Sequence, residues 1–200
     1  TTTPKGRAAI SHPRCAAASL NRAPLDSFQN WIDALHPGDL PRARLILQPS
    51  YIRDAMTDIC ESSGLPDCAE RTMLIDDVAA LSTIFAEIMV APYLRLRLDV
   101  ITTNACRKFH VDALTARLIC TYRGSGTQYG IARDGQDPVE IFDVPPSAPM
   151  IMRGTLWPNA PQSDLVHRSP PIEGTGETRL VLVLDPIVDL SAEQDAQYLH

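Results

Sequence analysis

Three residues in the second half of the chain have the types and spacing of a metal site. His110 and Asp112 are two positions apart, so on a strand their side chains share a face, about 7 Å apart along the chain. His167 lies farther along, in another predicted strand. Two imidazoles and one carboxylate leave open positions on a bound ion, an arrangement suited to oxygen chemistry at Fe(II). We therefore predict that these three residues bind a metal ion.

Other interpretations of these residues stay open. His110 and Asp112 could be a hydrogen-bonded surface pair, with His167 capping a loop. Cys106 precedes His110 by an even number of positions and would complete a zinc-like tetrahedron. An extended strand places its thiol about 13 Å away, however, which favours a small buried apolar role. The remaining histidines lie in predicted turns or at the terminus and receive no site role: His12, His36 and His200.

Two arginines and a tyrosine are candidate cofactor-binding residues. Arg179 begins an otherwise apolar strand, from which its guanidinium could bind a carboxylate in bidentate fashion. The alternative is an arginine at the sheet rim paired with Asp185 or Glu177. Arg117 lies on a neighbouring predicted strand and could orient a ligand. Tyr122, on that same strand, is the third candidate.

The first half of the chain has helical periodicity. Residues 1–24 form an extended lead-in with weak periodicity. Apolar residues then recur at helical spacing in three segments, each ended by a turn signal. The three predicted helices cover about 25–35, 51–62 and 66–90.

The periodicity changes to two after Pro92, where apolar and charged residues alternate. Short strands separated by turn clusters, with no helical pattern between them, indicate an antiparallel sandwich or barrel. The predicted fold class is α+β, with N-terminal helices packed on a C-terminal β-barrel. The predicted strands are Leu94–Ile101, Cys106–Asp112, Leu114–Tyr122, Val139–Val144, Pro149–Arg153, Leu165–His167 and Arg179–Leu184.

Composition limits the classes of function. The 200 residues include 44% hydrophobic and 21% charged residues, typical of a folded protein, and the net charge is −6. An acidic chain argues against general nucleic-acid binding. No apolar run reaches the roughly 20 residues of a membrane span, and no secretory leader is evident. The five cysteines contain no C-x-x-C pair, which favours a reducing, cytoplasmic location.

The order H-x-D, distal His, then Arg resembles the double-stranded β-helix oxygenases that use Fe(II) and 2-oxoglutarate. The resemblance implies a cupin-like or jelly-roll-like barrel. It also implies that His110, Asp112 and His167 are iron ligands and that Arg179 binds the far carboxylate of the co-substrate. The spacing between His167 and Arg179 is slightly longer than the commonest one in that superfamily.

The stretch from Arg95 to Asp185 resembles a bacterial family of uncharacterised proteins encoded near zinc-responsive genes. That resemblance implies a metal without deciding which one. The matching segments are Cys106–Asp112, Arg117-Leu118, Cys120–Gly124, Trp157–Asn159 and Val166–Pro171.

We therefore expect a metal-dependent oxygenase of the Fe(II)/2-oxoglutarate type, acting on a small molecule or another substrate that the sequence leaves open. The alternative is a zinc-binding accessory or storage protein that uses Zn(II) alone and has no turnover. A third possibility is a structural interaction module. The expected organisation is a lead-in at 1–24, a helical part at 25–92 and a cupin-like barrel at 93–200, with 25–200 as one unit. We expect no membrane partner, and the sequence leaves the oligomeric state open.

Overall fold

The computed structural model describes residues 10, 12, 15–132, 135–158 and 164–191. Two residues named above, Asn159 and His200, lie outside the described residues, as does half of the predicted lead-in.

Three helices and nine strands make up the described chain. The helices are α1 (Asp26–Ala34), α2 (Ile52–Ser62) and α3 (Ala69–Met89), and a 3₁₀ turn at Pro49–Tyr51 precedes α2. The strands are β1 (Ala17–Ser19), β2 (Ala43–Leu47), β3 (Tyr93–Ile101), β4 (Ala116–Arg123), β5 (Gln128–Ile131), β6 (Phe142–Asp143), β7 (Met150–Arg153), β8 (Leu165–Arg168) and β9 (Arg179–Ile187).

The helices form because their apolar residues fall on one face. In α2, Ile52, Met56 and Cys60 are four residues apart and all buried. The longest helix, α3, ends at Val90, which adopts a left-handed conformation. All three helices predicted from the sequence are present.

The strands form two antiparallel sheets. The large sheet has the order β1-β7-β4-β9-β3-β2, and the small sheet has the order β6-β5-β8. Because side chains alternate along the strands, the core is divided into two clusters. In the first cluster, Leu94, Leu96 and Leu98 of β3 pack with the helices. A second apolar cluster, including Val181 and Val183 of β9, lies on the opposite face with residues of the small sheet. The molecule therefore has a helical layer, a large sheet and a small sheet.

The described residues do not form the predicted arrangement of N-terminal helices packed on a C-terminal barrel. β1 and β2 come from the segments predicted as lead-in and helical part, yet they are the edge strands of the large sheet. The described strands do not close into a barrel. The N-terminal part contributes strands because its short apolar runs find hydrogen-bonding partners in β7 and β3.

The predicted strand Cys106–Asp112 is wrong in a way that matters for the site. The segment is a loop, in which Cys106 has a φ of 50° and His110 alone forms a bridge, to His167. Cys106 therefore does not share a strand face with His110, which removes the geometric argument for a shared site. The predicted strand at Val139–Val144 is reduced to the two residues of β6, and β5 was not predicted.

Candidate metal centre

The two site histidines are held side by side by their own backbones. The amide of His110 donates to the carbonyl of His167 at 3.1 Å, and the amide of His167 donates to the carbonyl of His110 at 3.0 Å. Their rings lie 4.6 Å apart between centroids. A loop residue is thus fixed beside strand β8 as firmly as a ladder partner would be.

Asp112 completes the cluster. Its Oδ1 lies 3.6 Å from Nε2 of His110, and its Oδ2 lies 3.2 Å from Nε2 of His167. One potential ligand atom from each residue lies within 4.8 Å of the other two. The three residues predicted from the sequence as metal ligands are therefore brought together at one point.

The free ring nitrogen of His110 faces the cluster. Nδ1 of His110 lies 2.9 Å from the carbonyl oxygen of Lys108. The neutral tautomer with its proton on Nδ1 donates to this carbonyl and keeps the Nε2 lone pair for a metal ion, whereas the protonated ring presents an Nε2 proton to Asp112. A backbone acceptor of this kind fixes the tautomer and the ring orientation of metal-binding histidines.

The Asp112 carboxylate has one satisfied oxygen and one that needs a cation. Oδ1 accepts a hydrogen bond from Arg117, whereas Oδ2 is buried and meets no donor other than Nε2 of His167 among the described residues. Leaving a buried acceptor unsatisfied is costly. Either a proton or a metal ion between Oδ2 and the imidazole removes that cost. This donor set of two neutral imidazoles and one carboxylate fits a divalent ion such as Fe(II).

Electrostatics keep this carboxylate ionised. Burial alone raises the pKa of Asp112, but hydrogen bonds from His110 and His167 and the charge of Arg117 outweigh burial and hold that pKa well below its usual range. The hydrogen bond with Asp112 raises the pKa of His110, although burial opposes it. The Asp112 carboxylate is therefore ionised and faces two imidazoles, and this arrangement attracts cations.

Arg117 is engaged by carboxylates. Its Nε and Nη2 donate to the two oxygens of Asp185 at 2.6 and 2.9 Å, and its Nη1 donates to Asp112. Although Arg117 lines the cavity, its guanidinium is already bonded to two carboxylates, which balance its charge. Its place supports a role in positioning Asp112. The residue that makes this possible, Asp185, was considered from the sequence only as a partner for Arg179.

The structure places Tyr122 away from the metal cluster, contrary to its predicted role as a cofactor-binding residue. Strand alternation in β4 places Tyr122 on the face opposite to Arg117. Its hydroxyl donates to Asp77 of α3 at 2.7 Å, and its ring packs edge-on against Phe28 of α1. Tyr122 therefore belongs to the core between helices and sheet, away from the metal cluster.

Arg179 is a buried cation surrounded by neutral oxygens. It is 1% exposed and donates to the carbonyl of Ser125 at 2.6 Å and to the hydroxyl of Ser169 at 3.1 Å. Burial lowers its pKa to about 10, and the charge of Glu177 opposes this only in part. Asp185 pairs with Arg117, and Glu177 binds the amide and hydroxyl of Ser125. In the structure, Arg179 is therefore not paired with Asp185 or with Glu177.

The two histidines of the metal cluster and Ser169, which accepts a hydrogen bond from Arg179, line one cavity, whereas Arg179 itself is not among its described lining residues. The volume of this cavity is about 630 Å³. Cys106 also lines the cavity and is exposed, but it is not part of the ligand cluster. The charged residue Arg97 of β3 lines it too. The sequence showed that Arg97 alternates with leucines, but not that this face of the strand meets the cavity.

The chain is similar in fold to solved 2-oxoglutarate- and Fe(II)-dependent oxygenases. A dioxygenase for auxin oxidation from rice matches with a TM-score of 0.51 and 11% identity, over 94% of this chain and 78% of that chain. The corresponding enzyme from Arabidopsis thaliana, solved with 2-oxoglutarate, matches with a TM-score of 0.49 and 13% identity, over 95% and 74%. The described chain thus has a mixed α/β, sheet-rich fold similar to that of the rice dioxygenase, and it contains a His-Asp-His cluster.

The chain belongs to the family described as protein of unknown function DUF1826, whose profile matches residues 1–185. A comparison with curated proteins gives no match.

Proposed function

We propose that this protein is an Fe(II)- and 2-oxoglutarate-dependent oxygenase. The observation that carries the proposal is the convergence of His110, Asp112 and His167 on one point beside a cavity. Iron held by these residues, together with 2-oxoglutarate, supplies the activation of dioxygen for oxidation of a substrate. The oxygenase-like fold agrees with this assignment.

Arg179 is proposed to bind the far carboxylate of 2-oxoglutarate. A guanidinium buried without a carboxylate partner carries an uncompensated desolvation cost, and a ligand carboxylate offsets it. Ser169, which accepts from Arg179, also lines the cavity that contains the two histidines. Arg117 acts as a positioning residue, because it holds Asp112 and is itself held by Asp185.

Anaerobic titration tests the proposal. Addition of Fe(II) and 2-oxoglutarate to the metal-free protein is expected to give a weak visible charge-transfer band. The band is expected to be lost in Asp112→Asn and Arg179→Gln and kept in Arg53→Gln. Arg53 is a suitable control because it lies on α2 and pairs with Asp76 on the helical surface. A wild-type protein that gives no band under these conditions contradicts the proposal.

The same titration separates the zinc alternative. Zinc binding with submicromolar affinity in a protein that forms no iron and 2-oxoglutarate band would assign the site to a zinc-binding accessory or storage protein. The donor set favours the open iron site, because Cys106 does not join the three ligands among the described residues. The expected link of the family to bacteria and to zinc-responsive genes stays a prediction.

We also propose a cytoplasmic location and a small-molecule substrate. All five cysteines are free, which supports a reducing compartment. Among the described residues, no helix has the length and apolar character needed to cross a membrane.

A further inference from the structure

We infer that the substrate of this site carries a phosphate or carboxylate group, which Arg44 and Arg97 bind at the side of the cavity away from Arg179. This inference rests on the proposed function, since it names the class of molecule that the oxygenase would oxidise.

The first observation is the concentration of positive charge in the cavity. The whole chain has a net charge of −6. Nevertheless, the only acidic residue among the described lining residues is Asp99. The cationic lining residues are Arg42, Arg44, Arg97, Arg117 and Arg168. A cleft lined by one sign of charge attracts ligands of the opposite sign.

The second observation is a pair of like charges in register. Arg44 of β2 lies directly opposite Arg97 of β3 in the antiparallel ladder. Opposite residues in a ladder have their side chains on the same face, and like charges there are destabilising. Both side chains line the cavity. An oxyanion bound between them turns this repulsion into two favourable charge contacts.

The third observation is that the guanidinium of Arg97 has no close carboxylate partner among the described residues. Its closest carboxylates, Asp99 and Asp185, are both 3.8 Å away, beyond hydrogen-bond distance. Its Nε is buried and has no hydrogen bond within the described part of the chain. Burial and the charge of Arg117 lower the pKa of Arg97, and the charges of Asp185 and Asp99 oppose this only in part. Arg117, by contrast, is bidentate with Asp185.

The fourth observation separates this pair from the proposed co-substrate site. In the ladder of β3 and β9, Arg97 is opposite Val183, whereas Arg179 is opposite Ile101. Four residues along a strand correspond to about 13 Å. The pair of Arg44 and Arg97 is therefore separate from Arg179, so an anion between these two arginines does not compete with a carboxylate bound to Arg179.

Calorimetric titration of metal-free protein with phenylphosphate and with benzoate tests the inference. At least one probe is expected to bind, and binding is expected to weaken at about 0.5 M NaCl. Arg44→Gln and Arg97→Gln are each expected to weaken binding by about tenfold or more, whereas the control Arg53→Gln leaves it unchanged. The probe that binds tells phosphate from carboxylate recognition.

Three results would overturn the inference. They are the binding of neither probe, equal binding by the wild type and both variants, and loss of the iron and 2-oxoglutarate band in Arg44→Gln or Arg97→Gln. The last result would assign these arginines to the co-substrate. Thermal melting shows that the variants are folded, and Arg44→Gln is expected to melt no lower than the wild type because it removes a like-charge pair. Since the calorimetry uses neither iron nor 2-oxoglutarate, it can succeed even where the oxygenase proposal fails.

Discussion

Arg117 joins the metal cluster to the centre of the large sheet. It bonds the ligand Asp112 on one side and the buried Asp185 on the other. Asp185 lies in β9, between β3 and β4, so the position of the ligand carboxylate is set by one of the two central strands. A change in this ion network acts on stability and on metal binding together.

Removing one member of this network is expected to cost more than removing two. Arg117→Met leaves the Asp185 carboxylate, 4% exposed, without its bidentate partner, which costs about 3–5 kcal/mol. The double variant Arg117→Met/Asp185→Leu is expected to be more stable than Arg117→Met. Urea unfolding measures this, with Arg53→Met as the exposed control that changes stability by under about 1 kcal/mol. A double variant that is less stable than Arg117→Met would contradict the prediction.

The buried thiols predict a loss of stability in alkali. Burial raises the pKa of Cys60 to about 11 and the pKa of Cys120 to about 12, from an ordinary value of 9.0. Because the folded-state pKa values are raised, this contribution to stability is complete below pH 9 and is lost as the pH rises through 11 and 12. Urea unfolding at several pH values is expected to show a free energy of unfolding that falls above about pH 9.

Thiol labelling provides an independent check of the same burial. At pH 8 a disulfide reagent is expected to react with the exposed Cys106 and to leave Cys60 and Cys120 unmodified until urea is added. Rapid modification of Cys120 in the folded protein would contradict its assigned burial.

The turn after β7 lies directly against the backbone of Leu114 and Asp112. A Cβ added at Gly154 would collide with the carbonyl oxygens of Leu114 and Asp112. The amide of Thr155 donates to that same Asp112 carbonyl at 2.9 Å. The backbone of the ligand Asp112 therefore rests directly on this turn.

Gly154→Ala is expected to displace the backbone that carries Asp112. Overpacking of this kind costs about 1–3 kcal/mol, and a displaced ligand support lowers metal affinity by about 10–100-fold. Calorimetric titration with Mn(II), together with thermal melting, measures both effects. Gly38→Ala is the control, because only the movable side chain of His36 is close to it. Unchanged Mn(II) affinity in Gly154→Ala would show that the turn does not support the ligand.

At the element scale, periodicity predicted the helices and strands that a single segment determines. It missed the conformations that depend on pairing between two distant segments. All three helices and β3 follow from the local apolar pattern. The loop around Cys106 does not, because its conformation is set by the bridge from His110 to His167, which lies far away in sequence. The spacing of His110 and Asp112 was informative even though the strand that justified it is absent. The short strand β2 was missed because it becomes a strand only by pairing with β3.

Metal binding is expected to stabilise the whole molecule. An ion that binds only the folded protein stabilises it by about 2.7 kcal/mol at a free concentration of 100 times the Kd. For a chain of this size, that corresponds to a rise in Tm of about 5–10 °C. Differential scanning calorimetry with Mn(II) is expected to show this rise in the wild type and not in Asp112→Asn. Asp58→Asn, exposed on α2, is the matched control, and a rise of equal size in Asp112→Asn would mean that the ion binds elsewhere.

For the whole molecule, the sequence predicted the residues of the site better than the architecture around it. Convergence of His110, Asp112 and His167 was expected, and the structure contains it. The cavity charge was not anticipated, because Arg44 lies in a segment predicted to be helical or irregular and Arg97 was interpreted only as one exposed residue of an alternating strand. Their opposition depends on strand register, which residue types in a single sequence do not specify.

The order of the strands also bears on when the protein can fold during its synthesis. Among the described strands β9 comes last in the chain, yet it is hydrogen-bonded to both β3 and β4. Until residues 179–187 have left the ribosome, β3 and β4 have no strand between them, and Asp185 is not there to hold Arg117. The ligands His110 and Asp112 are therefore made well before the sheet that orients them. The chain of contacts that positions the Asp112 carboxylate through Arg117 is therefore complete only once β9 has joined the sheet.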